Sequence, residues 1–288
     1  MMAVTGSVRT GTKRLLLRSK DFLVPRTILA SSKRRSFSST AYSGKVGDGT
    51  LGMDHTTLLA SYIPFPATIK NGRTVEVAPF RESDWEPGMQ LMNLIIREGK
   101  SWPFEEEFAT VDDFRAYYLS HTAFVVRSLE DGVDSNGQPS PSQDFLGSFY
   151  IKPNFPGRCS HICNGGFITS PNHRQQGVAR LMGHVFLQAA KDLGYSSAYF
   201  NLVFKSNGAS VVLWESLGFE RVAILEQAAR LSGVDGLDTA YGYRFDLTKL
   251  PADYLFQNTA NTSARQQRCS IEIPRGSSLE EVSLVPPL

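Results

Sequence analysis

The sequence predicts an α+β protein in which helices flank one central mixed sheet. Three observations carry that reading. Strand-like and helix-like patterns follow one another through residues 73–249 in the order β-α-α-β-β-β-α-β-α-β-β, which implies a single layered domain. The 41% hydrophobic and 20% charged composition can bury a core. No run of about 18 apolar residues is present to span a bilayer, so membrane insertion is not expected.

The elements follow from periodicity. Thr74 to Phe80 alternates as a strand, whereas Asp84 to Glu98 places Trp85, Met89, Met92 and Ile96 at helical spacing. A second helix is predicted over Thr110 to Ser120, with Thr110 as N-cap and Asp113 three residues on as a weak capping box. Ala123 to Arg127 and Phe145 to Lys152 read as strands around a polar surface loop, Glu130 to Asp144, and Ser160 to Thr169 reads as the next strand. The clearest helix is Gly177 to Leu193, where Val178, Leu181, Met182, Val185 and Ala189 share a face and Gly194 ends it. A strand over Ser197 to Phe204, a helix over Ala209 to Leu217 closed by Gly218, and strands over Phe219 to Ile224 and Thr239 to Leu247 complete the domain.

Charge divides the chain. Residues 1–44 hold nine Lys or Arg against one acid, Asp21, a local +8, so the formal +2 of the whole chain conceals about −6 in the remainder. An acidic body makes nucleic acid an unexpected partner. The first segment is rich in Arg, Ser and Thr, with Leu15, Leu16, Leu17, Phe22 and Leu23 among Arg14, Arg18 and Lys20. That composition predicts a mitochondrial transit peptide over residues 1–44 and a matrix location after its removal; the interleaved charges leave no apolar core for a secretory signal. The run Arg35-Ser36-Phe37-Ser38-Ser39-Thr40 has a matrix-processing pattern, placing cleavage between Phe37 and Lys45. Residues 45–72 are an N-terminal extension, and residues 250–288 a mostly disordered tail. Three cysteines are too few for a disulfide framework and imply a reducing compartment.

The first chemical signal is Arg174-Gln175-Gln176-Gly177-Val178-Ala179, between a strand and the long helix. Helix N-termini present backbone N–H groups and a partial positive charge, and a small-residue loop lets a pyrophosphate approach them. Read alone, a Gly at such a junction is ordinarily a turn. Followed by Asn207 and by Leu213-Trp214-Glu215-Ser216-Leu217-Gly218-Phe219, the loop resembles the coenzyme A site of the GCN5-related N-acetyltransferases (GNAT). The segments Gly147-Ser148-Phe149-Tyr150-Ile151-Lys152-Pro153-Asn154, Cys163-Asn164-Gly165-Gly166-Phe167 and Phe200-Asn201-Leu202-Val203-Phe204 further resemble the fungal N-acetyltransferases that detoxify proline analogues such as azetidine-2-carboxylate.

The resemblance implies a single GNAT domain using acetyl-CoA as co-substrate, held by Ile168, Thr169, Arg174, Gln175, Gln176, Gly177, Val178, Ala179 and Asn207. It also implies a small amino-acid-like amine as acceptor, a hydroxyproline isomer or pyrroline-5-carboxylate and its semialdehyde among them, and a homodimer. Two departures stand out. Asn164 occupies a position where many relatives carry a basic Glu, and Trp214 one where they carry an acidic Tyr. Because Asn cannot accept a proton at neutral pH, Asn164 and Asn201 are read as catalytic by positioning, on neighbouring parallel strands, with water carrying protons. The bland alternative is that both satisfy neighbouring backbone groups. Asn207 serves equally as an N-cap. Rival readings are acetylation of a protein Lys or N-terminus, and a non-catalytic acetyl-CoA sensor.

Cys159-x-His161-x-Cys163 would share one face of a strand, but this spacing with no fourth ligand does not match zinc, and no metal is expected. His161 is left as a substrate contact or a solvated strand-end residue. Lys152 and Arg158 are left as partners for a substrate carboxylate or as solvated bases.

Overall fold

In the computed structural model, which describes residues 58–129, 132–133, 139–140 and 145–259, eight strands form one sheet. The described elements in chain order are β1 (Phe65–Thr68), β2 (Thr74–Pro79), α1 (Trp85–Glu98), α2 (Val111–Tyr118), β3 (Thr122–Ser128), β4 (Gly132–Val133), β5 (Pro139–Ser140), β6 (Phe145–Pro153), β7 (Ile162–Thr169), α3 (Val178–Asp192), β8 (Ser197–Phe204), α4 (Gly208–Ser216), β9 (Glu220–Ala229) and β10 (Asp238–Asp246). The sheet runs β1-β2-β3-β6-β7-β8-β10-β9, and β4 and β5 pair separately. This is the mixed sheet with flanking helices that the sequence predicts. Thr110 caps α2 as expected, its hydroxyl accepting the Asp113 N–H at 3.1 Å.

Several boundaries differ for physical reasons. β1 is too short to display a period, yet its register with β2, Phe65 opposite Val77, buries Phe65 in the core. A small hairpin, β4–β5, stands inside the predicted loop. The strand expected from Ser160 starts at Ile162, because Gly157–Cys159 winds into a 3-10 turn first. Leu250 and Leu255 are buried in the main core, so the chain as far as residue 259 belongs to the fold where composition predicts a tail from residue 250. The expected transit segment and residues 260–288 lie outside the described residues.

The two faces of the sheet carry separate cores. Alternation along β6 sends Phe149 and Ile151 to one face, where Met182, Val185 and Phe186 of α3 cover them. Tyr150 points to the other, into a cluster with Met92 and Ile95 of α1 and Phe114 and Tyr118 of α2. Tyr118 donates to, or accepts from, Ser148 on the same face at 2.9 Å.

The helices of the second core are tied to the sheet by a charge. Arg127 of β3 is 1% exposed. Its guanidinium bonds both carboxylate oxygens of Asp84 at the start of α1, Glu76 of β2 at 3.1 Å, and the Pro79 carbonyl at 3.0 Å. With four of its five N–H donors engaged, the buried charge becomes a fixed joint between strand and helix. Removing one partner strands the other. Asp84→Ala is expected to cost about 3 kcal/mol in chemical denaturation of the purified protein; a loss under about 1 kcal/mol would show that Glu76 alone satisfies Arg127.

Candidate functional site

β7 and β8 form the one parallel pair among the described strands. Each is eight residues long, but they pair only as Ile162 with Ser197 and Cys163 with Ala198. Beyond those positions they part. Trp214 of α4 fills the space behind the gap, its ring 4.7 Å from both Phe167 of β7 and Phe200 of β8. The strands therefore cannot close, and the alternate backbone groups of each that would pair across the gap face an open cleft instead.

Glycine makes β7 thin enough for this arrangement. A Cβ on Gly165 would lie 2.6 Å from Phe186, and one on Gly166 would lie 2.5 Å from both Trp102 and Tyr150. The cleft has a volume of about 1090 Å³ and is lined by β7, β8, the loop before α3, the start of α4 and residues 100–104 after α1.

One end of the cleft is a helix N-terminus. Gly177, at φ +93°, caps α3 without any side-chain hydrogen bond to its first turn, so the leading N–H groups of a 15-residue helix have no side-chain acceptor. The loop is pinned from outside. The Lys70 N–H donates to the Gln176 carbonyl at 2.9 Å, and a Cβ on Gly177 would lie 3.3 Å from the Lys70 nitrogen. Gln175 is held at φ +62°, in the left-handed region that a non-glycine residue seldom occupies. A concave row of backbone donors at the positive end of a helix suits a phosphate group.

The opposite end is aromatic and polar. Trp102, Phe104, Tyr117 and Tyr150 form its wall, with the Tyr117 and Tyr150 hydroxyls 3.3 Å apart. Lys152 stands between the rings of Tyr117 and Tyr150, its Nζ 4.1 Å from each centroid. Burial pushes its pKa down to about 8. Lys152 and Asn164 are opposite each other in the β6–β7 register and so project from the same face.

The predicted site residues separate into three groups. Asn164, Asn201, Ile168, Thr169, Arg174, Gln175, Gly177, Val178, Ala179 and Asn207 all line the cleft. The Asn164 Oδ1 accepts the Gly165 N–H at 2.9 Å, and no acceptor among the described residues takes its amide N–H groups. Asn207 caps α4, accepting the Ser210 N–H at 3.3 Å, as the bland reading of that residue expects, while still lining the cleft. Arg174 holds Glu98 through both carboxylate oxygens, at 3.0 and 2.7 Å. The second group is Gln176 alone. Its side chain is spent inside the loop on Asn71 and the Asn172 carbonyl, so any role toward a ligand falls to its backbone. The third is His161, which is exposed and outside the cleft lining. The Cys159-x-His161-x-Cys163 spacing is not on one strand: Cys159 is exposed in the 3-10 turn, and Cys163 is buried with its thiol pKa pushed up.

Sequence reasoning missed Asn154. It is 1% exposed and forms a reciprocal amide pair with Asn201, donating to the Asn201 Oδ1 at 3.0 Å and accepting from its Nδ2 at 2.7 Å. Each amide uses one donor and one acceptor in this pair, so Asn201 keeps one of each for the cleft. The signal in the sequence was position: Asn154 falls two residues after Lys152, on the same alternation as Tyr150.

The acetyltransferase (GNAT) family model matches residues 90–219, from within α1 to the start of β9. The N-acetyltransferase aca1 of Schizosaccharomyces pombe is 45% identical over 169 residues, which are 56% of this chain and 78% of that protein. Protein SPT10 of Saccharomyces cerevisiae is 30% identical over 105 residues, 36% of this chain and 16% of that protein. Among solved structures, a GCN5-related N-acetyltransferase from Kribbella flavida has a TM-score of 0.51 at 22% identity, covering 60% of this chain and 97% of its own. The acetyltransferase yncA of Salmonella typhimurium, solved with its cofactor acetyl-CoA, has a TM-score of 0.51 at 15% identity, covering 61% and 95%. These two structures are likenesses of fold.

The Asn154–Asn201 pair makes a direct prediction. Asn154→Ala leaves a half-buried amide without its partner, and chemical denaturation is expected to show a loss of about 1–3 kcal/mol; unchanged stability would mean that Asn201 is not held by this pair.

Proposed function

This chain belongs to the acetyltransferase (GNAT) family, and from that premise we propose that it transfers the acetyl group of acetyl-CoA directly to the nitrogen of a small amino-acid-like amine. Azetidine-2-carboxylate, a hydroxyproline and pyrroline-5-carboxylate with its open semialdehyde are the substrates we favour. The observation that carries this reading is the cleft between diverging parallel strands, with uncapped helix donors at one end and an aromatic, polar box at the other. An extended thioester reaching from a phosphate at the α3 N-terminus along the unpaired edges of β7 and β8 would deliver its acyl carbon beside Asn164 and Asn201. The backbone donors of the gap would meet the amides of its arm.

The chemistry then requires alignment. The neutral amine attacks the acetyl carbon, the new C–N bond forms as the C–S bond breaks, and the amine's surplus proton ends on the departing thiolate through water. Asn201, fixed by Asn154, accepts an N–H from the amine through its remaining lone pair. Asn164 offers N–H donors to the oxygen on which charge develops. Trp214, packed between Phe167 and Phe200, is a structural brace and supplies no proton. The aromatic lining by Trp102, Phe104, Tyr117 and Tyr150 suits a small amine, and the 45% identity with a yeast N-acetyltransferase supports an active enzyme over a sensor. The basic, acid-poor residues 1–44 support a mitochondrial matrix location.

Purified protein mixed with acetyl-CoA and azetidine-2-carboxylate is expected to release free thiol only when the imino acid is present. Tight coenzyme binding without turnover on a panel of small amines would instead favour a sensor. Asn164→Ala and Asn201→Ala are each expected to lower kcat by about 10- to 100-fold, with the affinity for coenzyme A retained; near wild-type kinetics in both would remove the positioning mechanism. A reporter fused to residues 1–50 is expected to enter mitochondria, and diffuse cytosolic signal would refute the location.

A further inference from the structure

Lys152 is a buried cation whose partner is missing. It is 4% exposed, it lines the cleft, and among the described residues no carboxylate, carbonyl or hydroxyl accepts a hydrogen bond from its Nζ. Burial is the cause of its lowered pKa, and among the described residues no ion pair offsets it. An ammonium taken out of water without a counter-charge destabilises a fold strongly, and the Tyr117 and Tyr150 faces recover part of that cost. Beside the same Tyr150 ring lies a second unsatisfied donor. The Trp102 Nε1 is buried without an acceptor, its ring edge-on to Tyr150 with centroids 6.5 Å apart. The Lys152 ammonium, framed by two ring faces at the cleft wall, describes a place for an anion.

We infer that Lys152 is a specificity-determining residue that receives the carboxylate of the amine substrate, so that the enzyme selects amino and imino acids over amines lacking that group. The inference deepens the small-amine reading and rests on it for the identity of the substrate's nitrogen. Lys152 faces Asn164 directly across β6 and β7, with side chains leaving the sheet about 5 Å apart. An α-amino or imino acid, whose nitrogen and carboxylate are separated by one carbon, presents its two polar groups to neighbouring side chains of this kind. Its nitrogen can lie at the asparagines while its carboxylate meets the ammonium as a charge-assisted hydrogen bond. Its apolar ring or side chain then packs on Trp102 and Phe104. The same ammonium repels a substrate carrying a second positive charge, which disfavours polyamines.

The test compares azetidine-2-carboxylate with its methyl ester and its carboxamide, by calorimetry on the full chain saturated with coenzyme A and by thiol release with acetyl-CoA. The wild type is expected to bind the acid at least about tenfold more tightly than either neutral analogue. Lys152→Met, close in shape but uncharged, is expected to raise Kd and KM for the acid by about 10- to 100-fold, erase the preference over the ester, and leave coenzyme affinity and kcat near the wild-type values. Lys152→Arg should restore part of the preference. Retention of the acid preference in Lys152→Met would overturn the proposal. So would a collapse of kcat at unchanged KM, which would make Lys152 a proton acceptor. Should the variant fail to fold, the wild-type ratio still decides: equal binding of acid and ester contradicts carboxylate recognition. Turnover of acid and ester alike would sink this inference and keep the acetyl-transfer reading. Acid-selective binding without any thiol release would do the reverse.

Discussion

Everything in the site depends on a hydrogen-bond ladder that stops. Parallel strands that begin to pair ordinarily continue, because each further pair satisfies two backbone groups that burial would leave unmet. Here the ladder between β7 and β8 ends after two residue pairs, and the rings of Trp214, Phe167 and Phe200 pack together behind the gap. The sheet thus keeps two backbone edges in its middle that do not pair with each other beyond Cys163 and Ala198, where a ligand can reach them. An acyl donor with a long amide-bearing arm is the molecule such a gap suits.

The remaining structure holds that gap in register with its two ends. Arg127, buried among Asp84, Glu76 and the Pro79 carbonyl, fixes the start of α1 against the sheet. The far end of α1 carries Glu98, which grips Arg174 of the loop before α3. One helix therefore connects the structural ion pair to the end of the cleft at the α3 N-terminus. Beyond Gly99, the chain turns into the segment that bears Trp102, part of the aromatic wall of the cleft, and the Ser232 N–H donates to the Gly99 carbonyl at 2.8 Å. Both ends of the cleft are thereby referenced to the same helix.

The fold was legible because its signals are local. The apolar spacing of α3, the Thr110 cap and the Gly177 turn each depend on a few neighbouring residues, and each lies where the sequence places it. What escaped depends on distant contacts. β1 is identified by burial against β2, and Leu255 by burial in the main core, neither of which has a local pattern. The Cys-x-His-x-Cys spacing misled because the period-two reading extended a strand through a turn initiated at Gly157. Asn154 was invisible as a functional residue because its role is to hold Asn201, 47 positions away. For Lys152 the sequence left open a substrate-carboxylate contact and a solvated base. Only the folded chain shows it enclosed by Tyr117 and Tyr150, and that enclosure turns an ordinary lysine into a candidate for recognition.

The central claim is that the divergence of β7 and β8 is the acyl-donor site, and a crystal structure with acetyl-CoA bound tests it most directly. The expected result places the pyrophosphate at the N-terminus of α3, the arm between the two strands and the thioester beside Asn164 and Asn201. A coenzyme bound elsewhere, or strands paired along their full eight residues, would contradict it.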